Sequence, residues 1–251
     1  MAEASSSTRN KTPRLLRVSA IRELTPNMRR ISLAGADLED FPEGQESGYV
    51  KLLLQHKGEE VRRSYTVRQF DTDTKTLHLD FMLHADGGPA SAWAEMAEVG
   101  QEISVVGPGA KKLVDFSADW FLIAGDMTAL PAISVNIEQL PDHAKGYVAI
   151  EVLSGSDKQK LNVPEGVEVH WIVNAQASRD DLPLLDKVKE FEFLSGKPSI
   201  WVAGEFHASR AIRRYLKLEK GVQRDEIYAS SYWHLGLSDD QHKVAKQTDV
   251  D

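Results

Sequence analysis

The sequence predicts a chain in two halves, a six-stranded antiparallel barrel over residues 13–115 and an α/β domain with a parallel sheet over 116–236. Two observations carry this. Between Pro13 and Gly109, short apolar segments are broken by Pro26, Gly35, Pro42, Gly44 and Gly48, with one helical pattern among them. After Lys111-Lys112-Leu113-Val114-Asp115, apolar strands alternate with helical patterns, the texture of a sheet with helices packed against it.

Taken in order, residues 1–12 are Ser-rich without apolar anchors and are expected to be a disordered tail. Strands are predicted at Leu15–Val18, Met28–Leu33, Tyr49–Leu54, Arg62–Phe70, Leu77–Leu83 and Glu102–Val106. Asp71-Thr72-Asp73-Thr74 supplies a turn, and Gly107-Pro108-Gly109 stops the last strand. A helix over Gly88–Glu98 interrupts the series. Pro89 in its first turn needs no amide partner, and Ala and Glu favour the later turns. His84-Ala85-Asp86-Gly87-Gly88 permits a sharp turn into it. A helix start behind two glycines, with Ser91 in the first turn, suits a phosphate seat and equally a barrel-capping helix.

In the second half, strands at Trp120–Gly125, Tyr147–Leu153, Val167–Val173, Ile200–Gly204 and Ile227–Ser230 alternate with helices near Thr128–Leu140, Leu182–Phe193 and Ala208–Lys217. Leu237–Asp251 reads as a tail or a helix.

Composition narrows the function. Hydrophobic content of 41% and charge of 27% are those of a globular protein, and a length of 251 residues is ample for a sizeable core. A formal charge of −8 disfavours nucleic acid and anionic membranes as partners, so an anionic substrate needs a local basic pocket. With no cysteine, thiolate metal sites, cysteine-ligated iron–sulfur clusters and catalytic thiols are excluded. The N-terminus lacks an apolar signal core and no run approaches a membrane span, so the cytoplasm is the expected setting. The eight histidines show no metal-ligand spacing, and no protein-bound metal is expected. There is no G-x-S-x-G elbow, Walker loop or G-x-G-x-x-G fingerprint.

The run around Arg63-Ser64-Tyr65-Thr66 is the centre of interest. In a strand, Arg63 and Tyr65 share one face while Ser64 and Thr66 share the other. A guanidinium there can meet a pyrophosphate and a flat ring can lie on a heterocycle; an edge strand with solvated arginines fits the same residues. Ala124–Ala132 sits where a strand passes into a helix, and Thr128 with the first-turn amides can hold a ribityl or phosphate group, or simply begin a capped helix. Ala203-Gly204-Glu205-Phe206-His207 repeats that design, followed by Arg210, Arg213 and Arg214 at spacings of three and four, a phosphate grip or a solvated basic face. Tyr232-Trp233-His234 follows the last strand, where an aromatic covers a flat cofactor or closes the core.

These motifs in this order resemble the siderophore-interacting protein family within the ferredoxin-reductase-like flavoproteins. The resemblance rests on Arg63–Thr66, His84, Gly88-Pro89-Ala90 with Trp93, and Gly125-Asp126-x-Thr128 through Ile133. It continues through Ala203-Gly204-Glu205 with Arg210 and Arg213, then Tyr232-Trp233 and Gly236, spanning roughly residues 13–236. It implies an FAD-binding barrel, a Rossmann-like second domain and FAD-dependent reduction of ferric siderophores with release of Fe(II). The implied electron donor is NADH, NADPH or reduced ferredoxin.

By the same resemblance, Arg63 holds the FAD pyrophosphate, Tyr65 lies against the isoalloxazine and Thr66 approaches its N5 edge, with Ser64 between them. Asp80, His84 and the turn Gly88, Pro89, Ala90 and Ser91 complete the barrel's cofactor set; Thr128 and Trp233 contact it from the second domain. Lys51, Lys111, Lys112 and His234 are the implied substrate-binding residues, and no side chain is a catalytic acid or base. Met127 stands where the family usually has an acidic residue, and His234 where an arginine is common. A general NAD(P)H:flavin oxidoreductase or ferredoxin reductase with another acceptor is an alternative reading, as is a non-catalytic siderophore carrier. Nothing in the sequence demands more than a monomer.

Overall fold

The computed structural model describes residues 12–84, 88–237, 241–242 and 244–245. Most of the expected N-terminal tail, Ala85-Asp86-Gly87 of the turn and most of Leu237–Asp251 lie outside the described residues.

The first half is a curled antiparallel sheet of β1 (Arg14–Thr25), β2 (Met28–Ala34), β3 (Tyr49–His56), β4 (Glu59–Thr66), β5 (Gln69–Asp71), β6 (Thr76–Met82) and β7 (Glu102–Gly109). It has seven strands, in the order β4-β3-β7-β1-β2-β6-β5. The expected Arg62–Phe70 strand is therefore two. Buried Val67 ends the pairing with β3 by donating its amide to the Gly48 carbonyl, and the Arg68 amide donates to His78 on the far side. Strand-favouring residues (Tyr65, Thr66, Val67, Phe70) continue through this crossing, with no Gly or Pro to mark the break. Alternation works as strand geometry requires: Leu16 and Val18 face the core while Leu15 and Arg17 face out. Helix α1 (Pro89–Met96) begins at Pro89, as its missing amide allows. Asp71 Oδ1 accepts the Asp73 and Thr74 amides, making the turn before β6.

The second half has β8 (Trp120–Asp126), α2 (Leu130–Glu138), β9 (Lys145–Val152), β10 (Gly166–Val173), α3 (Pro183–Glu190), β11 (Pro198–Glu205), α4 (Phe206–Leu218) and β12 (Ile227–Trp233). All five strands are parallel, in the order β10-β9-β8-β11-β12. Interior β11 is buried at every residue, because both faces are covered by apolar clusters. Two of the boundary differences bear on expected site residues. Thr128 lies in the turn before α2, and Tyr232 and Trp233 belong to β12 itself rather than following it. Strand order reverses between β8 and β11, so their carboxyl ends form the crevice where open α/β sheets take ligands.

The halves are held together by specific contacts. Met28, at the β1–β2 hairpin, is fully buried in the apolar cluster beneath the parallel sheet. Beside it, buried Asp157 accepts from Thr25 Oγ1 (2.9 Å), the Asn27 amide (3.0 Å) and Asn27 Nδ2 (2.9 Å). Arg68 forks onto both oxygens of Glu138 at 3.0 and 2.5 Å. The connecting segment is pinned at the Lys112 carbonyl, which accepts from Ser47 Oγ and the Trp201 indole, and at the Val114 amide, which donates to Asn136 Oδ1.

Candidate functional site

On the barrel, β3 and β4 are in register with Lys51 opposite Ser64, Leu52 opposite Arg63 and Val50 opposite Tyr65. Lys51 and Ser64 are exposed, so an ammonium stands directly across from the Arg63–Thr66 strand. Tyr65 is turned to the other face, its ring stacked on Phe81 with centroids 4.2 Å apart and planes at 29°. Burial pushes its phenol well above the ordinary tyrosine range, against the smaller opposing pull of the Arg63 charge. Asp80 is buried and held by its cross-strand partner Arg30, whose Nε and Nη2 donate at 2.6 and 2.8 Å. The Asp80 hydrogen bond raises the Arg30 pKa.

Ahead of α1, the exposed His84 donates its backbone amide to Ser91 Oγ at 3.4 Å, closing the loop between β6 and the helix. Among the described residues, no heavy atom lies within 4 Å of where a Gly88 Cβ would stand, so the helix start is open on that side. Lys111 runs past Gly48 at the entry to β3, and the Lys112 ammonium lies 5.8 Å from the centre of the Tyr228 ring on β12. Lys112 therefore bridges the barrel segment to the last strand of the parallel sheet.

At the carboxyl rim of that sheet, Asp126 organises its neighbours. Its Oδ1 accepts from the Thr128 amide (2.9 Å) and hydroxyl (2.5 Å), and its Oδ2 from the Glu205 amide (2.8 Å) and the Trp233 indole (2.8 Å). Loss of water raises the Asp126 pKa, and these four donors pull the other way. Gly204 lies against this carboxylate: a Cβ there would stand 2.5 Å from Asp126 Oδ2, and φ is +136°. Neighbouring Glu151 is pushed up to about 7, first by burial and then by the Asp126 charge; Asn174 Nδ2, donating at 3.1 Å, opposes the shift. Buried Met127 packs in the cluster below, where its sulfur accepts from the Leu153 amide. Tyr232 closes the core, its ring edge-on to Trp201.

The expected site residues thus fall into a barrel group, Lys51 with Arg63–Thr66 and His84 with Gly88–Ser91, and a rim group, Thr128 with Trp233. Asp126 joins the members of the rim group. Its carboxylate, Glu151 and the neighbours Glu205 and His207 were not among the expected site residues. Asp126 and Glu205 lay within the motifs that carried the family resemblance, and Asp126, Glu151 and Glu205 each end or nearly end a parallel strand.

A curled antiparallel sheet joined to a parallel sheet of this order, with a crevice at its switch point, is a ferredoxin-reductase-like fold. The fold is shared with a ferredoxin-NADP+ reductase from Plasmodium falciparum (12% identity, TM-score 0.67, covering 89% of this chain and 98% of that one). Residues 17–63 and 59–112 match the model of the siderophore-interacting FAD-binding domain, and 118–236 that of the siderophore-interacting protein. The chain belongs to the siderophore-interacting protein family. It is 31% identical to the ferric vibriobactin reductase ViuB of Vibrio cholerae over 95% of this chain and 96% of that protein. It is also similar to the crystal structure of the siderophore-interacting protein SipS from Aeromonas hydrophila (30% identity, TM-score 0.85, covering 94% and 97%).

Proposed function

We propose that this chain is an FAD-dependent ferric-siderophore reductase that releases Fe(II) in the cytoplasm, with electrons from NADH, NADPH or reduced ferredoxin. The observation that carries it is the register of β3 on β4, which sets the exposed Lys51 directly across from the Arg63–Thr66 strand of an FAD-binding domain. A cation for an anionic chelate thereby neighbours the strand that would hold the cofactor, in a protein whose formal charge of −8 otherwise repels anions.

The residues present fit the cofactor. Arg63 would hold the pyrophosphate by charge-assisted hydrogen bonds, with Tyr65 against the ring, Ser64 and Thr66 alongside, and Thr66 near its N5 edge. The open side of the helix start at Gly88, Pro89, Ala90 and Ser91 suits a phosphate, with His84 at the ring. Asp80, engaged by Arg30, contributes by positioning β6. Thr128 and Trp233 have given their polar hydrogens to Asp126, so they would offer a hydroxyl oxygen and a ring face. Bound FAD supplies the conversion of a two-electron donor's reducing power into one-electron reduction. Siderophores hold Fe(III) with hard oxygen donors that grip Fe(II) far less, so reduction itself is the release step. Lys51, Lys111, Lys112 and His234 would attract and orient the chelate, and no side chain acts as acid or base. The working form is a monomer with barrel residues 13–115 and α/β residues 116–236.

The test is anaerobic. Purified protein should retain or take up FAD, bleach with one of the three donors, and recover its colour on addition of ferric siderophore. Protein that cannot be loaded with FAD, or reduced protein indifferent to ferric siderophore but oxidised by quinones or ferredoxin, would overturn the reading.

A further inference from the structure

Glu205 ends β11, His207 lies one residue into α4, and His234 lies just past β12. Parallel pairing of β11 with β12 brings the three together, with one ligating atom of each within 4.8 Å of the other two. We propose that Glu205, His207 and His234 form a binding site for a first-row divalent transition-metal ion, through one carboxylate oxygen and two imidazole nitrogens.

The donor set selects the ion class. Two imidazoles with one carboxylate suit Fe(II), Co(II) or Zn(II) and not the all-oxygen cations Mg²⁺ and Ca²⁺. Both imidazoles are prepared for it. His234 Nδ1 lies 3.0 Å from the Leu235 carbonyl oxygen. A carbonyl only accepts, so Nδ1 carries a proton, and in the neutral ring Nε2 then presents its lone pair, the arrangement that outer partners impose on metal-bound histidines. Stacking on Phe206, with centroids 4.6 Å apart at 23°, fixes the plane of that ring. His207 Nε2 is buried without a hydrogen-bond partner among the described residues, and such atoms are rare unless something else satisfies them.

Glu205 is 6% exposed, and its two oxygens accept from the Ala208 amide (3.0 Å) and the Leu235 amide (3.1 Å). Each carboxylate oxygen keeps a second lone-pair direction. Asp126 and Glu151 add negative charge nearby, and Arg179 and Arg210 oppose it from the His207 side. Metal–ligand bonds of about 2.0–2.2 Å put neighbouring ligand atoms about 3–4 Å apart, so side-chain rotation of about 1 Å closes the observed spread. Three ligands leave open positions for water or a further donor. Only the choice of Fe(II) as the natural ion rests on the proposed reductase reading, since Fe(II) is the ion that reaction would release.

The experiment uses the full-length protein, stripped of metal by a chelator and freed of flavin. It is titrated with Co(II) and, against a chromogenic chelator, with Zn(II). One equivalent should bind, with a visible Co(II) band, and His207→Ala or His234→Ala should each weaken binding by more than about tenfold, since loss of a ligand exceeds the loss of an outer partner. No saturable binding, or equal affinity in both variants, would overturn the site. If a variant fails to fold, imidazole proton spectra of the wild type decide: Zn(II) should move the His207 and His234 signals, and movement confined to other histidines refutes the proposal. No flavin turnover is read, so this result and the reductase result stand or fall separately.

Discussion

The indole Nε1 of Trp233 donates to Asp126 Oδ2 across 2.8 Å, fastening the end of β12 to the end of β8. The Glu205 amide shares that oxygen, and Thr128 covers the other. One carboxylate thus holds the ends of three parallel strands in a fixed relation, at the rim where two of the proposed cofactor contacts lie.

Trp233→Phe keeps a ring and removes one donor. It should cost about 1–3 kcal/mol, because a half-buried carboxylate loses a partner it cannot replace. Urea unfolding of wild type and variant measures this, and an unchanged midpoint would show that water substitutes for the indole.

Glu151 gives a pH signature. Its folded pKa, raised to about 7 from a reference of 4.5, means the native state holds a proton that the unfolded chain releases. Stability from this group is therefore full below about pH 4.5, declines as pH rises towards 7 and is absent above it. Glu151→Gln mimics the protonated form and keeps an acceptor for Asn174. Tm should rise relative to wild type at pH 8, by the equivalent of about 3 kcal/mol, and by much less at pH 5. Equal shifts at both values would contradict the assignment.

Asp157 works in the opposite sense. Burial raises its pKa, but hydrogen bonds from Asn27, Thr25 and Ser154 outweigh that and leave it below the ordinary 3.8. Its contribution is present above pH 3.8 and lost as pH falls through the folded value. Asp157→Ala strands several donors between the β1–β2 hairpin and the parallel-sheet half, and should cost about 2–4 kcal/mol. Thermal unfolding at pH 7 checks it.

Arg63→Ala should weaken FAD retention by about 1.5–3 kcal/mol, roughly 10- to 150-fold, as loss of a charge-assisted contact predicts. Equilibrium dialysis against FAD reads this directly. Undiminished affinity would place the pyrophosphate elsewhere.

Lys51→Ala should leave FAD content intact and weaken binding of an anionic ferric chelate, the loss shrinking as salt is raised. Reduced FAD content in this variant would mean that Lys51 belongs to the cofactor's surroundings instead.

Local chemistry made some of this legible in advance. Pro89 announces a helix start, Asp71 a turn, and the change of texture after Asp115 a change of architecture, because each signal lies within a few residues. What escaped depends on distant pairing. The strand break at Val67 is set by Gly48 and His78, and propensity runs straight through it. The opposition of Lys51 to Ser64 is a matter of register. Glu205, His207 and His234 show no ligand spacing along the chain, because β11 and β12 bring them together from separate segments. Trp233 was expected just beyond a strand and lies within it, since the strand continues to meet Asp126.

In the seven-stranded sheet, β4 and β5 are the two outermost strands, yet only Val67 and Arg68 separate them. The chain therefore sews one rim of the sheet to the other. Unpaired strand rims are where foreign chains dock and aggregates begin, and this two-residue stitch holds the two rims together at one end. A proteolytic nick or an inserted loop at this point would uncouple the two rims at once.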